Sequence, residues 1–219
     1  MKYIILILLW ITWLLIHSGM ISLTLTKYLK KRLGTYYKFY RLFYNVMALT
    51  TLVLVILYSQ SLNEPVLFRG EGYMTFVQIL FLAIGITLFI AGGLKYDLLQ
   101  FFGIRQIKTG KSHSAISESG KIDTSGILGI TRHPWYLAAI IIIWVGNREM
   151  YVSTVIVNIL LTIYLVVGTI LEERKLIIEF GDGYTDYTHR VSMLFPTKWI
   201  FSKLFKEARR IQPTANGQG

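Results

Sequence analysis

Three short clusters hold the residues best suited to chemistry. They are Arg132-His133-Pro134 with Trp135 and Tyr136, the pair Glu172-Glu173, and Tyr184 with Tyr187 just after Gly181 and Gly183. Proline is favoured at the first helical position, where its missing N–H costs nothing. A helix is therefore expected to start near Pro134, and its N-terminus, with Arg132 beside it, suits a carboxylate or phosphate. The plain alternative is a basic anchor at a membrane surface. Glu172 and Glu173 close an apolar run, and carboxylates at a helix C-terminus oppose the helix dipole. That placement points to a second purpose, such as bonding ribose hydroxyls or an ammonium group. A solvated cap paired with Arg174 and Lys175 is the other reading. Tyr184, Tyr187, Trp135 and Tyr136 offer aromatic faces to a cation such as a sulfonium, or else sit as interface-belt residues.

The elements that position these clusters are apolar helices. The chain has 219 residues, 53% of them hydrophobic, and a bilayer-spanning helix needs ~20 mostly apolar residues. Residues 3–25, 43–59 and 75–94 approach that length. A fourth run, 134–171, is too long for one crossing and is broken by the polar cluster Gly146-Asn147-Arg148-Glu149, which reads as a turn. The expectation is an all-α polytopic membrane protein with about five spans. The fourth, about 135–145, is short for a full crossing. The fifth continues past the bilayer, and a second short helix follows it on the surface. Residues 1–207 read as one domain, followed by a disordered tail at 208–219.

Charge gives the orientation. Of 23 lysines and arginines, 20 fall in three stretches, 27–41, 95–132 and beyond 171; the rest are Lys2, Arg69 and Arg148. Positive charge marks the cytoplasmic side, so the N-terminus is expected outside and the C-terminus in the cytoplasm. The first apolar run reads as a retained helix, since it outlasts a signal-peptide core and lacks a convincing cleavage site. Basic loops of this kind attract anionic lipid head groups, which accounts for the net charge of +11 without nucleic acid, for which no binding module is recognisable. The absence of cysteine excludes disulfides, thiolate metal sites and a cysteine nucleophile. The histidines at 17, 113, 133 and 189 lack metal-ligand spacing, and His113 reads as a solvated residue of a mobile loop.

Taken together, the clusters extend over Arg132 to Pro196 as Arg-His-Pro-x-Tyr, Glu-Glu-x-x-Leu and Phe-Gly-x-x-Tyr-x-x-Tyr-x-x-x-Val-x-x-x-x-Pro. This set is similar to the integral membrane isoprenylcysteine carboxyl methyltransferases and phospholipid N-methyltransferases. The resemblance implies that S-adenosylmethionine binds between the last hairpin and the C-terminal helices, in a cytosolic cofactor-binding region at about 126–196. It implies a pocket lined by Arg132, His133, Pro134, Tyr136, Glu172 and Glu173 and closed by Tyr184, Tyr187 and Arg190. His17-Ser18, Tyr40-Arg41-Leu-Phe-Tyr44-Asn45 and Asp97-Leu-Leu-Gln-Phe-Phe-Gly-Ile-Arg105-Gln106 resemble the NnrU-like and methanethiol S-methyltransferase branch. Ser125-Gly126-Ile-Leu-Gly129-Ile replaces that pattern's usual Gly-x-Tyr approach to Arg-His-Pro.

The reaction that the resemblance implies moves a methyl group from S-adenosylmethionine to a small or lipophilic acceptor, by the branch resemblance a thiol such as methanethiol, with an isoprenylcysteine carboxyl or a phospholipid amine as the alternative acceptor. His17, Asn45 and Arg190 are the candidate catalytic residues, with His17 or His189 as proton acceptor. Arg41, Arg105 and Gln106 are the candidates for the acceptor site. His17 shares a helical face with Trp10 and Trp13, and an ionisable residue within a span is a functional candidate. A buried histidine bonded to Asn45 or a backbone carbonyl is the other reading. Two further alternatives stay open: a membrane sterol-type reductase using a nicotinamide, weakened because Leu137-Ala138 follows Tyr136 without an acid, and a non-catalytic membrane assembly factor.

Overall fold

The computed structural model describes residues 1–95, 99, 102–109 and 123–211. Asp97 and His113 lie outside that set. Helix α1, Lys2–Ile21, is apolar over most of its length. It stops at Ser22, whose extended backbone breaks the helix and whose Oγ accepts the Leu25 N–H at 3.3 Å to cap α2, Leu23–Leu33. Residues 27–41 are therefore helical where a loop was expected. Lys30, Lys31 and Arg32 occupy the last turn of α2, where cations favour the helix dipole. Gly34 ends α2 with φ +52°, a conformation that other residues rarely adopt. A 3-10 stretch, Gly34–Phe39, leads into α3, Tyr40–Gln60.

Helix α4 is Tyr73–Gly93, α5 is Ile104–Thr109, α6 is Pro134–Val145 and α7 is Val152–Phe180. Two surface helices follow: α8, Asp182–Arg190, and α9, Thr197–Ile211. Four helical segments are long and apolar enough to cross a membrane, Lys2–Ile21, Leu23–Gln60, Tyr73–Gly93 and Val152–Phe180, among the described residues. With the shorter Pro134–Val145 they make an all-α polytopic membrane protein. Helix α9 runs to Ile211, and residues 212–219 lie outside the described set.

Packing follows from small residues and aromatic hydrogen bonds. Leu6 and Trp10 of α1, Val55 of α3 and Val157 of α7 form one buried cluster, and the Trp10 indole N–H donates to Ser59 Oγ at 3.1 Å. Gly85 and Gly92 let α4 approach α6 closely. A Cβ on Gly85 would meet Ile142 at 2.9 Å, and one on Gly92 would meet Trp135 at 2.7 Å. Small residues at such contacts are the usual means of packing helices in lipid. At the opposite end, strand β1, Phe68–Arg69, pairs antiparallel with β2, Glu149–Met150. That ribbon ties the α3–α4 connection to the α6–α7 turn.

Length places the site. At ~1.5 Å per residue the 12 residues of α6 cover about 18 Å, against a hydrocarbon core of ~30 Å. Helix α6 is therefore too short for a full crossing, and Pro134 at its start is buried within the protein. Helix α7 has 29 residues, about 43 Å by the same rise, longer than that core, and its C-terminal half brings Glu173 level with the residues that begin α6.

Candidate functional site

The turn before α6 is held by backbone. The Arg132 N–H donates to Ser192 O at 3.0 Å, the His133 N–H to Met193 O at 3.1 Å, and the Thr131 hydroxyl to Met193 O at 3.1 Å. Thr131 and Ser192 form an isolated parallel bridge. A strap after α8 thus fixes the chain at the residues that begin α6, and Pro134 is buried at the helix start.

The Arg132 side chain is buried and fully engaged. Its Nε donates to Glu173 Oε1 at 2.6 Å and its Nη2 lies 2.6 Å from the same oxygen. Nη1 donates to Thr188 O at 3.0 Å and to Val191 O. The guanidinium therefore braces α7 against α8. Arg174 and Lys175, the sequence's alternative partners for the carboxylates, are exposed.

His133 is 1% exposed. Its Nε2 lies 3.2 Å from Glu173 Oε1. A carboxylate only accepts, so Nε2 carries a proton, and in that tautomer Nδ1 is the acceptor of the ring. Nδ1 is buried without a hydrogen-bond partner among the described residues, and Glu172 Oε2 is 4.0 Å away. Buried polar atoms nearly always have a partner, so this orphaned acceptor suits a hydroxyl or amine of a bound molecule. Glu172 and Glu173, alike in sequence, thus differ: Glu173 is engaged in the brace, and Glu172 faces the open atom.

Tyr184 and Tyr187 are buried with Leu176 and Val191. The Tyr187 hydroxyl donates to Leu128 O at 2.6 Å, and Tyr184 Oη lies 3.5 Å from Glu173 Oε1. Burial, then the nearby Glu173 carboxylate, pushes the Tyr184 phenol well above its ordinary range. Burial raises Tyr187 as well, against the pull of Arg132. Both stay protonated donors. Leu128 lies in the 3-10 turn Gly126–Gly129, so the segment that departs from the usual Gly-x-Tyr pattern supplies a carbonyl here. Asp123, accepting from Lys95 Nζ and from the Ser125 hydroxyl and N–H, is held down to about 2, which fixes the approach to that turn.

A cavity of about 530 Å³ opens next to this core, within the ~300–1,000 Å³ of ligand pockets. Among its lining are His17, Arg41, Asn45, Gln106 and Tyr136, drawn from α1, α3, α5 and α6. Five of the sequence's site residues thus meet in one space. Tyr136 links it to the core, its ring edge-on to His133 with centroids 5.6 Å apart. Gln106 is 3% exposed, and its Oε1 is a second buried acceptor without a partner among the described residues.

His17 is bonded neither to Asn45 nor to a backbone carbonyl in any described contact. Tyr44 Oη lies 2.8 Å from its Nδ1 and 3.0 Å from its Nε2, and the Trp13 ring stacks on it at 4.9 Å. Tyr40, Tyr44 and Tyr164 line the cavity but were not expected there as site residues. Tyr164 Oη accepts from Ser18 Oγ at 3.0 Å. A phenol in the middle of an apolar run needs a partner, and that was the available signal. Arg190 is not in this assembly: it is exposed, and its Nε donates to Asp186 O one turn back at 3.3 Å. The side chain of Arg105 lies outside the described residues.

The family described as NnrU protein matches residues 5–195. The chain belongs to this family. Residue matches also run to curated methyltransferases. The chain is 33% identical over 98 residues to a methanethiol S-methyltransferase of Pseudomonas deceptionensis, covering 45% of this chain and 37% of that protein. It is 36% identical over 99 residues to methanethiol S-methyltransferase 1 of Bradyrhizobium diazoefficiens, covering 44% and 33%. It is 30% identical over 149 residues to methanethiol S-methyltransferase 2 of that organism, covering 68% and 57%. The chain thus spans between one third and three fifths of the length of these relatives. No solved structure matches.

Proposed function

We propose that this NnrU-family protein is an integral membrane methyltransferase that moves a methyl group from S-adenosylmethionine to a small thiol. The observation that carries the reading is the cavity that joins His17, Arg41 and Asn45 to Gln106 and Tyr136, beside a histidine with an orphaned buried acceptor. The curated relatives are methanethiol S-methyltransferases by name, which favours a thiol acceptor here.

S-adenosylmethionine supplies an electrophilic methyl on a sulfonium. The chain's residues bind, orient and deprotonate. His133 Nδ1, Glu172 and Gln106 Oε1 are the acceptors left for ribose hydroxyls and the ammonium group. Tyr136 and the cavity tyrosines offer their faces to the sulfonium charge. His17 takes the proton of the acceptor thiol, and the Tyr44 hydroxyl, within hydrogen-bond reach of both ring nitrogens, orients the imidazole. Alignment of nucleophile and methyl in a water-poor space supplies much of the remaining acceleration. Arg132, Glu173, Tyr184 and Tyr187 hold the wall. Basic-residue placement further supports an external N-terminus and a cytoplasmic C-terminus, so that the donor enters from the cytosol.

Calorimetry on the purified chain with S-adenosylhomocysteine and, separately, a reduced nicotinamide tests the reading. Binding of the first alone is expected. Binding of the nicotinamide alone would replace the methyltransferase with a reductase.

A further inference from the structure

Helix α9 has two faces that the site does not use. At ~100° per residue, Ile200, Phe201, Leu204 and Phe205 fall on one arc, and Lys198 and Lys203 on the opposite one. The rest of the helix sequence adds Lys206, Arg209 and Arg210, with Glu207 its one acid. Ile200, Phe201, Leu204 and Phe205 are exposed. Lys203 Nζ lies 5.7 Å from the centre of the Trp199 ring, an amphipathic pairing suited to the head-group level. An apolar face backed by basic residues is the pattern of a helix lying in a membrane interface.

The first turn of this helix is bonded to the strap that positions the site. The Lys198 N–H donates to Ser192 Oγ at 3.0 Å, and Thr197 Oγ1 lies 3.1 Å from the same oxygen. Lys198 Nζ donates to Thr188 O at 2.7 Å and to His189 O at 3.1 Å. Thr188 O is also a carbonyl that receives Arg132 Nη1, and Ser192 O receives the Arg132 N–H. Whatever holds α9 therefore holds Arg132 and His133.

We infer that α9 lies in the anionic leaflet of the membrane the chain spans, and that this contact, through Lys198 and Ser192, fixes the Arg132–His133 turn. The occupant follows from charge: five basic residues against one acid on a helix that follows the last span in a chain embedded in the membrane. The lipid contact stands whatever the chain's activity; only a ligand readout rests on the methyltransferase reading.

The chain has no cysteine, so single labels are unambiguous. Spin labels on Phe205→Cys and Ser202→Cys are read in nanodiscs of phosphatidylcholine alone or mixed with phosphatidylglycerol. With the anionic lipid, the label at 205 is expected in the oxygen-rich acyl region and the label at 202 in water. Amide exchange at Arg132 and His133 in the unlabelled chain is expected to slow by about fivefold or more on adding phosphatidylglycerol, the order of effect of one or two basic residues at such a surface. Lys203→Gln, Lys206→Gln and Arg209→Gln together should erase that lipid dependence while the spans remain inserted. Water access at both labels, spin–spin coupling that grows with protein density, or exchange indifferent to lipid charge would overturn the inference. If S-adenosylhomocysteine fails to bind in either lipid while the exchange difference persists, the activity reading fails and the lipid coupling stands.

Discussion

Arg132 and Glu173 meet across the α6–α7 hairpin, with two guanidinium nitrogens 2.6 Å from one carboxylate oxygen. The pair is largely buried, and His133 shares the oxygen. Removing one partner of such a pair leaves the other charge uncompensated. Glu173→Gln should therefore lower stability by about 3 kcal/mol, seen as a reduced melting temperature in detergent. Glu172→Gln should leave the melting temperature near wild type and weaken binding of S-adenosylhomocysteine instead. Equal behaviour of the two variants in both assays would contradict this division of roles.

His17 and Tyr44 form the second pairing with consequences. His17→Ala should cut methyl transfer by about 100-fold or more, the range for loss of a general base, with cofactor affinity nearly unchanged. Tyr44→Phe should retain part of the rate, since the imidazole remains but loses its orienting hydroxyl. Turnover, affinity and melting temperature measured on one preparation decide the matter. Normal turnover with a lowered melting temperature would make His17 a packing residue.

Close approach of α4 to α6 gives a test of the fold. A methyl group at Gly92 would sit 2.7 Å from the Trp135 ring, and a ring yields less readily than a flexible chain. Gly92→Ala should cost about 1–3 kcal/mol, the usual range for overpacking. Gly19→Ala, where nothing lies within 4 Å of the added atom, is the control and should be near neutral. A neutral Gly92→Ala would mean that the two helices are farther apart than described.

The tyrosines of α8 predict an alkaline limit. Burial raises the phenols of Tyr184 and Tyr187 above their unfolded value of about 10, as does the neighbouring carboxylate for Tyr184. A group whose folded pKa is raised contributes stability that is complete below its unfolded pKa and is lost as pH rises towards the folded one. Near-neutral stability should therefore be flat and fall above about pH 10. Tyr187→Phe should reduce the neutral-pH stability and flatten that alkaline fall. An alkaline profile unchanged in the variant would show that Tyr187 titrates as it does in water.

The apolar runs, Pro134 and the Gly146–Glu149 break made the helices and the short α6 legible, because length and a missing N–H act locally. The basic stretch at residues 27–41 was misread as a loop because its charges outweighed helical periodicity, although Lys30, Lys31 and Arg32 complete a favourable last turn. The site residues were legible as types. Their partners were not, since nothing local distinguishes Glu172 from Glu173 or pairs His17 with Tyr44 rather than Asn45. Those pairings depend on the rotation of α7 against α6 and of α1 against α3. Arg190 was placed at the pocket by its neighbours in sequence, and the helical phase of α8 turns it outward.

The most direct test of the central claim is product formation by the purified, lipid-reconstituted chain given S-adenosylmethionine and methanethiol. The account predicts dimethyl sulfide, formed with one equivalent of S-adenosylhomocysteine and lost in His17→Ala. No dimethyl sulfide from a chain that is folded, inserted and saturated with S-adenosylmethionine would contradict it.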